Sequence, residues 1–110
     1  MIFEVPLTEG NFGKSGRNNH VYIDTFVHAL PKDIVGGSSR AFPAPRKITL
    51  EYDGYYCETD IPTDRRTGKP RPFFRARGFI GRFFDHVGAR PGDVVVFELV
   101  SPYRLRMSLK

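Results

Sequence analysis

Between Thr63 and Arg77 the chain reads TDRRTGKPRPFFRAR, where Arg65, Arg66, Lys69, Arg71, Arg75 and Arg77 stand against one acid, Asp64. Arginine dominates the set. Its planar guanidinium presents a fork of donors that grips phosphate or carboxylate bidentately, which the point charge of lysine cannot do. A run of arginines is by itself ordinarily a solvated face, so the rest of the chain must give it meaning. Lys and Arg total 17 against 12 Asp and Glu, a formal charge of +5, and that balance favours a polyanionic partner. Other chemistries are poorly served. Cys57 is the only cysteine, which excludes an internal disulfide, and neither it nor His20, His28 and His86 falls at zinc-site spacing. No metal and no cofactor is expected. The chain also lacks a Gly-x-Ser-x-Gly elbow, a phosphate-binding loop and a carboxylate cluster followed by lysine, so no catalytic residues are expected.

These residues must be positioned by a single domain, because 110 residues build one core and not two. With 40% hydrophobic and 14% aromatic residues the chain can bury enough surface to fold alone. No apolar run approaches a membrane span and MIFEVPLTEG does not resemble a signal peptide, so a cytoplasmic protein without membrane contact is expected. IFEVPL reads as a strand, TEGNFGKSGRNN as a loop or arm, and HVYID as a second strand. Asp24 can then cap a short helix with Phe26, Val27 and Leu30 on one face, ended by Pro31. RKITLEYDGYYCETDIP predicts a β-hairpin about Asp53-Gly54, with Ile48, Leu50 and Tyr52 facing the same way as Tyr55, Cys57, Thr59 and Ile61. Cys57 is thereby a core thiol, structural in role. In FFRAR, strand alternation turns Phe74 and Ala76 to one side and Phe73, Arg75 and Arg77 to the other. GFIGRFFDHVG predicts a helix burying Phe79, Ile80, Phe83, Phe84 and Val87 and closed by Gly88, and RPGD a tight turn. VVVFELV and YRLRMSLK form a last hairpin across a Val100-Ser101-Pro102 loop, pairing Leu99 with Tyr103 and Glu98 with Arg104. About seven strands and two helices predict a mostly β, partly open barrel of the α+β kind.

The block FFRARGFIGRFFDHVGARPGDVVVFELV resembles the C-terminal half of a B3-type DNA-binding domain. The pattern comprises an aromatic-bearing strand, a helix with paired aromatics, a turn ending in Gly-Asp and a strand reading Val-Val-Phe-Glu, here Gly92-Asp93 and Val95-Val96-Phe97-Glu98. VPLTEGNFGKSGRNNHVYI would supply the first strand, N-terminal arm and second strand. The resemblance implies a seven-stranded open pseudobarrel with two short helices, and sequence-specific binding of double-stranded DNA by two arms in the major groove. Without the tryptophan usual in plant B3 transcription factors, the chain looks more like the recognition and effector domains of bacterial restriction endonucleases. Any nuclease activity would then lie in a separate domain or chain, a possible partner, and the isolated domain is expected to be a monomer.

On that resemblance the arms fall at about 10–20 and 60–77. In the first, Asn18 and Asn19 could read adenine, Lys14, Ser15 and Arg17 could read bases or hold phosphate, and His20 could contact phosphate. In the second, Arg65, Arg66, Lys69, Arg71, Arg75 and Arg77 could pair with guanine or phosphate, with Thr63 and Phe73 beside them. Asp60 and Asp64 could accept from cytosine, or could hold the arm's arginines by salt bridges. The rival nucleic-acid reading is an RNA or single-strand binder, which requires aromatics exposed for stacking, and Phe73 is the one candidate. Arg82, Arg90, Arg104 and Arg106 read as surface charges, and His28 and His86 as helix-surface or capping residues.

Overall fold

In the computed structural model, which describes residues 1–13 and 19–110, the chain forms a five-stranded mixed sheet. The strands are β1 (Ile2–Pro6), β2 (Ile48–Tyr52), β3 (Tyr55–Thr59), β4 (Val94–Ser101) and β5 (Arg104–Leu109), in the order β1-β4-β5-β2-β3. One α-helix among the described residues, α1 (Arg77–Val87), packs on the sheet. The β2–β5 pairing is parallel and the other three are antiparallel. With β1 and β3 as free edges the sheet does not close, so the expected seven-stranded pseudobarrel with two helices is incorrect.

Period-two patterning accounts for the sheet. Ile48, Leu50, Tyr52, Val95, Phe97, Leu105 and Met107 are buried on one face, while Glu51, Glu98, Arg104 and Arg106 interleave on the other. The β2–β3 hairpin turns at Asp53 and Gly54, whose φ values of 46° and 84° are the paired positive angles that a type I′ turn demands. Register is less local. Leu99 pairs with Leu105 and Glu98 with Arg106, not with Tyr103 and Arg104, because a bulge between Leu99 and Ser101 lets the chain reverse later, at Pro102-Tyr103. A slip of two residues leaves every side chain on its expected face, which is why the patterning could not detect it.

Helix α1 forms where expected, with Phe79, Ile80, Phe83 and Phe84 buried against the sheet and Gly88 at its C-terminus. Phe79 and Phe83 set their rings edge-on to Tyr52 at 5.2 and 5.1 Å. Two expected strands and one helix are absent. In 20–24 the alternation is real, with Val21 and Ile23 buried and Tyr22 exposed, but Ile23 N donates to the carbonyl of Pro72. Pro72 has no N–H to return, so no ladder extends from there. The helix expected after Asp24 shrinks to a 3-10 turn at Val27–Ala29, cut off by Pro31. FFRAR is not a strand either. Phe73 and Phe74 are both buried, and the N–H groups of Phe73 and Ala76 bond back to Arg71 and Phe74 in tight local turns. These irregular stretches still fill the core: Phe26 stacks on Phe3 at 4.4 Å and meets Phe97 at 5.3 Å.

Candidate nucleic-acid interface

The basic stretch folds back on itself as a small ordered projection. Thr63 bridges Pro70 in antiparallel fashion, Asp64 N donates to Lys69 O at 2.8 Å, and Arg71 N donates to Pro62 O at 2.8 Å. Asp64 builds the tip, its Oδ1 accepting from the backbone N–H groups of Arg66 and Thr67 at 2.8 and 3.0 Å. Those bonds stabilise the charged carboxylate and hold it below its usual pKa. Thr63 ties the base of the projection to the rest of the fold by donating Oγ1 to the Gly36 carbonyl at 2.6 Å. Arg65, Arg66, Lys69 and Arg71 are exposed along it, and Arg77 is exposed at the start of α1.

Asp60 and Arg75 behave differently. Asp60 is 6% exposed, and its oxygens accept from Arg75 Nε at 2.6 Å, Arg75 Nη2 at 2.7 Å and Ala44 N at 2.8 Å. Arg75 Nη1 donates further to the carbonyls of Gly37 and Ser39 at 3.0 and 2.9 Å. Burial alone would raise the Asp60 pKa, but the hydrogen bonds from Arg75 and Ala44 outweigh it and hold the carboxyl below its ordinary value. The Arg75 fork is therefore engaged in an internal salt bridge, and its side chain, 18% exposed, reaches the wall of an open groove with its donors already used. Glycine is required where this fork passes the 36–44 loop, since a Cβ at Gly36 would lie 2.5 Å from Arg75 Nη2 and 2.6 Å from Ala44 N.

Phe73 is 9% exposed and its faces are already occupied. His20 stacks on it at 4.0 Å between centroids, and the Arg71 guanidinium sits 4.9 Å from its ring centre. This arrangement ties the two expected arms together at their roots. Burial, together with the charges of Arg71 and Arg77, lowers the His20 pKa, so the ring is neutral at physiological pH, and its Nδ1 has no hydrogen-bond partner among the described residues. The stem of the first arm is fastened beside it. Asn11, 2% exposed, donates Nδ2 to His20 O at 2.9 Å and accepts from Thr8 N at 2.7 Å, while Asn19 accepts from Gly13 N at 3.0 Å. The expectations for Lys14, Ser15, Arg17 and Asn18 lie outside the described residues.

Together these elements line an open groove of about 960 Å³. Asn19, His20, Arg71 and Phe73 form part of its wall, and Arg77, Arg82 and Asp85 extend it along α1. Ser38 and Arg40, from the loop that also holds Arg75, complete it. Arg40, Ser38 and Tyr22 were not expected here, and Arg82 was read as a surface charge. Nothing periodic marks Arg40, whose place depends on the Arg75 fork 35 positions along the chain.

Cations on the outer face of the sheet are paired, whereas Lys32, Arg40, Arg46, Lys47, Arg82 and Arg90 have no carboxylate partner among the described residues. On the outer face of the sheet Arg104 and Arg106 bracket Glu51, Arg106 also meets Glu98 at 3.4 Å, and Lys110 meets Glu4 at 3.1 Å. Among the described residues, Arg65, Arg66, Lys69, Arg71 and Arg77 have no carboxylate partner. Cys57, half-buried on β3, has its pKa pushed up to about 11 by burial, which keeps it a protonated thiol at neutral pH. No helix among the described residues is long and apolar enough to cross a membrane. Comparison with known proteins gives no relative: no family model, no curated protein and no solved structure matches the chain.

Proposed function

We propose that this chain binds double-stranded DNA through the groove between its two arms, with the 63–71 projection set against the phosphates. The observation that carries this reading is the partition of charge. The sheet's cations are paired with glutamates, whereas Arg40, Arg71, Arg77 and Arg82, which line the open groove, and Arg65, Arg66 and Lys69, on the projection that rises from Pro62 and Arg71 at its wall, have no carboxylate partner among the described residues. A polyanion is the partner that such an arrangement suits. Duplex is favoured over single-stranded nucleic acid because, of the two phenyl-type rings lining the groove, Phe73 has its faces occupied by His20 and Arg71 and only Tyr22 is open, so the groove lacks the succession of platforms on which consecutive unstacked bases stack. Base reading falls to Arg71 and Arg77 and to the first arm, and Arg75 serves as a support. The B3-like resemblance of the α1–turn–β4 block extends the proposal to sequence-specific recognition, as a target-recognition or effector domain of a restriction endonuclease system.

Selection of bound duplexes from a randomised pool at near-physiological salt tests this directly. Recovery of a short motif, with a log–log salt slope between about −3 and −5, is the expected result for five cations meeting phosphates. Salt-independent binding, or tighter binding of single strands than of duplex, would overturn the proposal.

A further inference from the structure

A second cleft, of about 470 Å³, opens beside the basic groove, and Arg82 and Asp85 of α1 line both. Its character is otherwise opposite. Tyr52 and Phe79 form an aromatic floor, and Tyr55 and His86 stand over it with their rings 5.3 Å apart. Tyr52 is held by a 3.3 Å hydrogen bond to His86 Nδ1 and is 4% exposed, whereas Tyr55 and Tyr56 are 54% and 68% exposed. Tyr55 meets the Tyr52 ring at 5.5 Å, yet it and Tyr56 leave more than half of their surface open at the rim of an aromatic cleft. The volume lies within the roughly 300–1000 Å³ of small-ligand sites. Flat aromatic walls suit a flat π system, while Arg82 donors and Asp85 acceptors at one side suit a ring whose edge carries both kinds of group.

We infer that this cleft receives a single nucleobase extruded from the duplex held in the basic groove. The inference rests on the duplex-binding reading above and adds a site to it. Arg82 and Asp85 line both cavities, so the cleft opens next to the groove, within reach of a base rotated out of a duplex bound there. Stacking on Tyr55 and the tyrosine floor would offset the loss of stacking in the duplex, and a base already without a partner costs least to extrude.

The test compares two short duplexes of one sequence by fluorescence anisotropy at low salt. One is fully paired, and the other places a central 2-aminopurine opposite an abasic site. Wild-type protein should bind the orphan-base duplex roughly tenfold more tightly. Tyr55→Ala and Tyr56→Ala, both at exposed positions, should together reduce that preference to within about twofold and leave the paired duplex bound as before, whereas Arg71→Ala should weaken both duplexes alike. Equal affinity of the wild type for the two duplexes, or a preference that survives loss of both tyrosines, would overturn the cleft while leaving duplex binding intact. The latter is also the result expected if the tyrosines serve a protein partner. Failure to bind either duplex would overturn the duplex reading and the cleft with it, and the paired duplex distinguishes the two failures.

Discussion

Arg75 and Arg71 lie four residues apart in the same basic stretch, yet their removal should have opposite consequences. Arg75→Ala leaves the Asp60 carboxylate, 8% exposed at its side chain, with only the Ala44 N–H, and frees two loop carbonyls that Nη1 had engaged. Breaking a buried pair from one side costs about 3–5 kcal/mol. Arg75 keeps some solvent contact at 18% exposure, so about 3–4 kcal/mol is expected, which lowers Tm by about 10–20 °C in a domain of this size. Asp60→Ala should cost about 3 kcal/mol, and the double variant about 4–5 kcal/mol, well below the sum, because each single change already loses the shared interaction. The Asp60 carboxyl has a folded pKa below its unfolded value, so its contribution is fully present above about pH 4 and is lost as the pH falls through the lower, folded value. The gap between wild type and Asp60→Ala should narrow accordingly in acid. Arg71→Ala removes an exposed guanidinium whose main internal contact is the Phe73 face, and should change stability by no more than about 1 kcal/mol while weakening duplex binding. Urea denaturation beside an anisotropy titration separates the two. If Arg75→Ala folds within about 1 kcal/mol of wild type and loses affinity as Arg71→Ala does, the internal role assigned to the Arg75 fork is wrong.

Gly36→Ala should cost about 2–3 kcal/mol by urea denaturation, since its Cβ meets the Arg75 fork and two backbone atoms at 2.5–2.8 Å, and an unchanged midpoint would contradict that packing. His20 has a folded pKa below its unfolded value of about 6.5, so its stabilising contribution is complete above that pH and declines as the pH falls towards the folded value. His20→Gln should flatten that part of the stability profile, and an identical profile for the two proteins would refute the assignment. Cys57 should react with iodoacetamide roughly a hundredfold more slowly at neutral pH in the folded protein than in urea, in line with its thiol at about 11, and equal rates would show it to be freely accessible.

What the sequence made legible was local. The Asp53-Gly54 hairpin, α1 with its Gly88 end and the alternating β4 and β5 each carry their signal within a dozen residues, so no distant partner was needed to recognise them. HVYID and FFRAR failed for a shared reason. Each shows a fragment of strand patterning, but Pro72 lies between their possible partners and removes the donor, and Arg75 is drawn towards Asp60 instead of alternating outward. The Asp60–Arg75 fork was expected only as one of two roles for the acid. Its dependence on Gly36 and on carbonyls at 37 and 39 joins positions far apart in the chain, and neither composition nor period records that. The core at Phe26 was anticipated as a helix face and is filled from the residue that precedes a 3-10 turn, because burial was determined by hydrophobicity and backbone form by Pro31. The basic groove was half legible: the 63–77 charge was visible, but the contribution of Arg40 was not.

The arm's charge has an energetic consequence that distinguishes a binding surface from a merely solvated one. Asp60 accepts from Arg75 and Ala44, and Asp64 accepts from backbone N–H groups at the tip, so the two acids of the segment hold its shape and leave its five other cations without a carboxylate partner. Such a set of like charges repels itself, and the repulsion acts most strongly at low ionic strength, where the Debye length grows from about 10 Å at 0.1 M to about 30 Å at 0.01 M. Adding sodium chloride over that range should therefore raise the Tm of the free protein by a few degrees while it weakens duplex binding, two responses of opposite sign from one set of charges. Bound duplex should relieve the same repulsion and stabilise the fold by about 2.7 kcal/mol at a hundredfold excess over Kd. Replacing Arg65 and Arg66 together by glutamine should flatten both salt responses. If that variant keeps the wild-type salt dependence of Tm, the arginines are already screened in the free protein, and the unneutralised arm ceases to be an argument for a polyanionic partner.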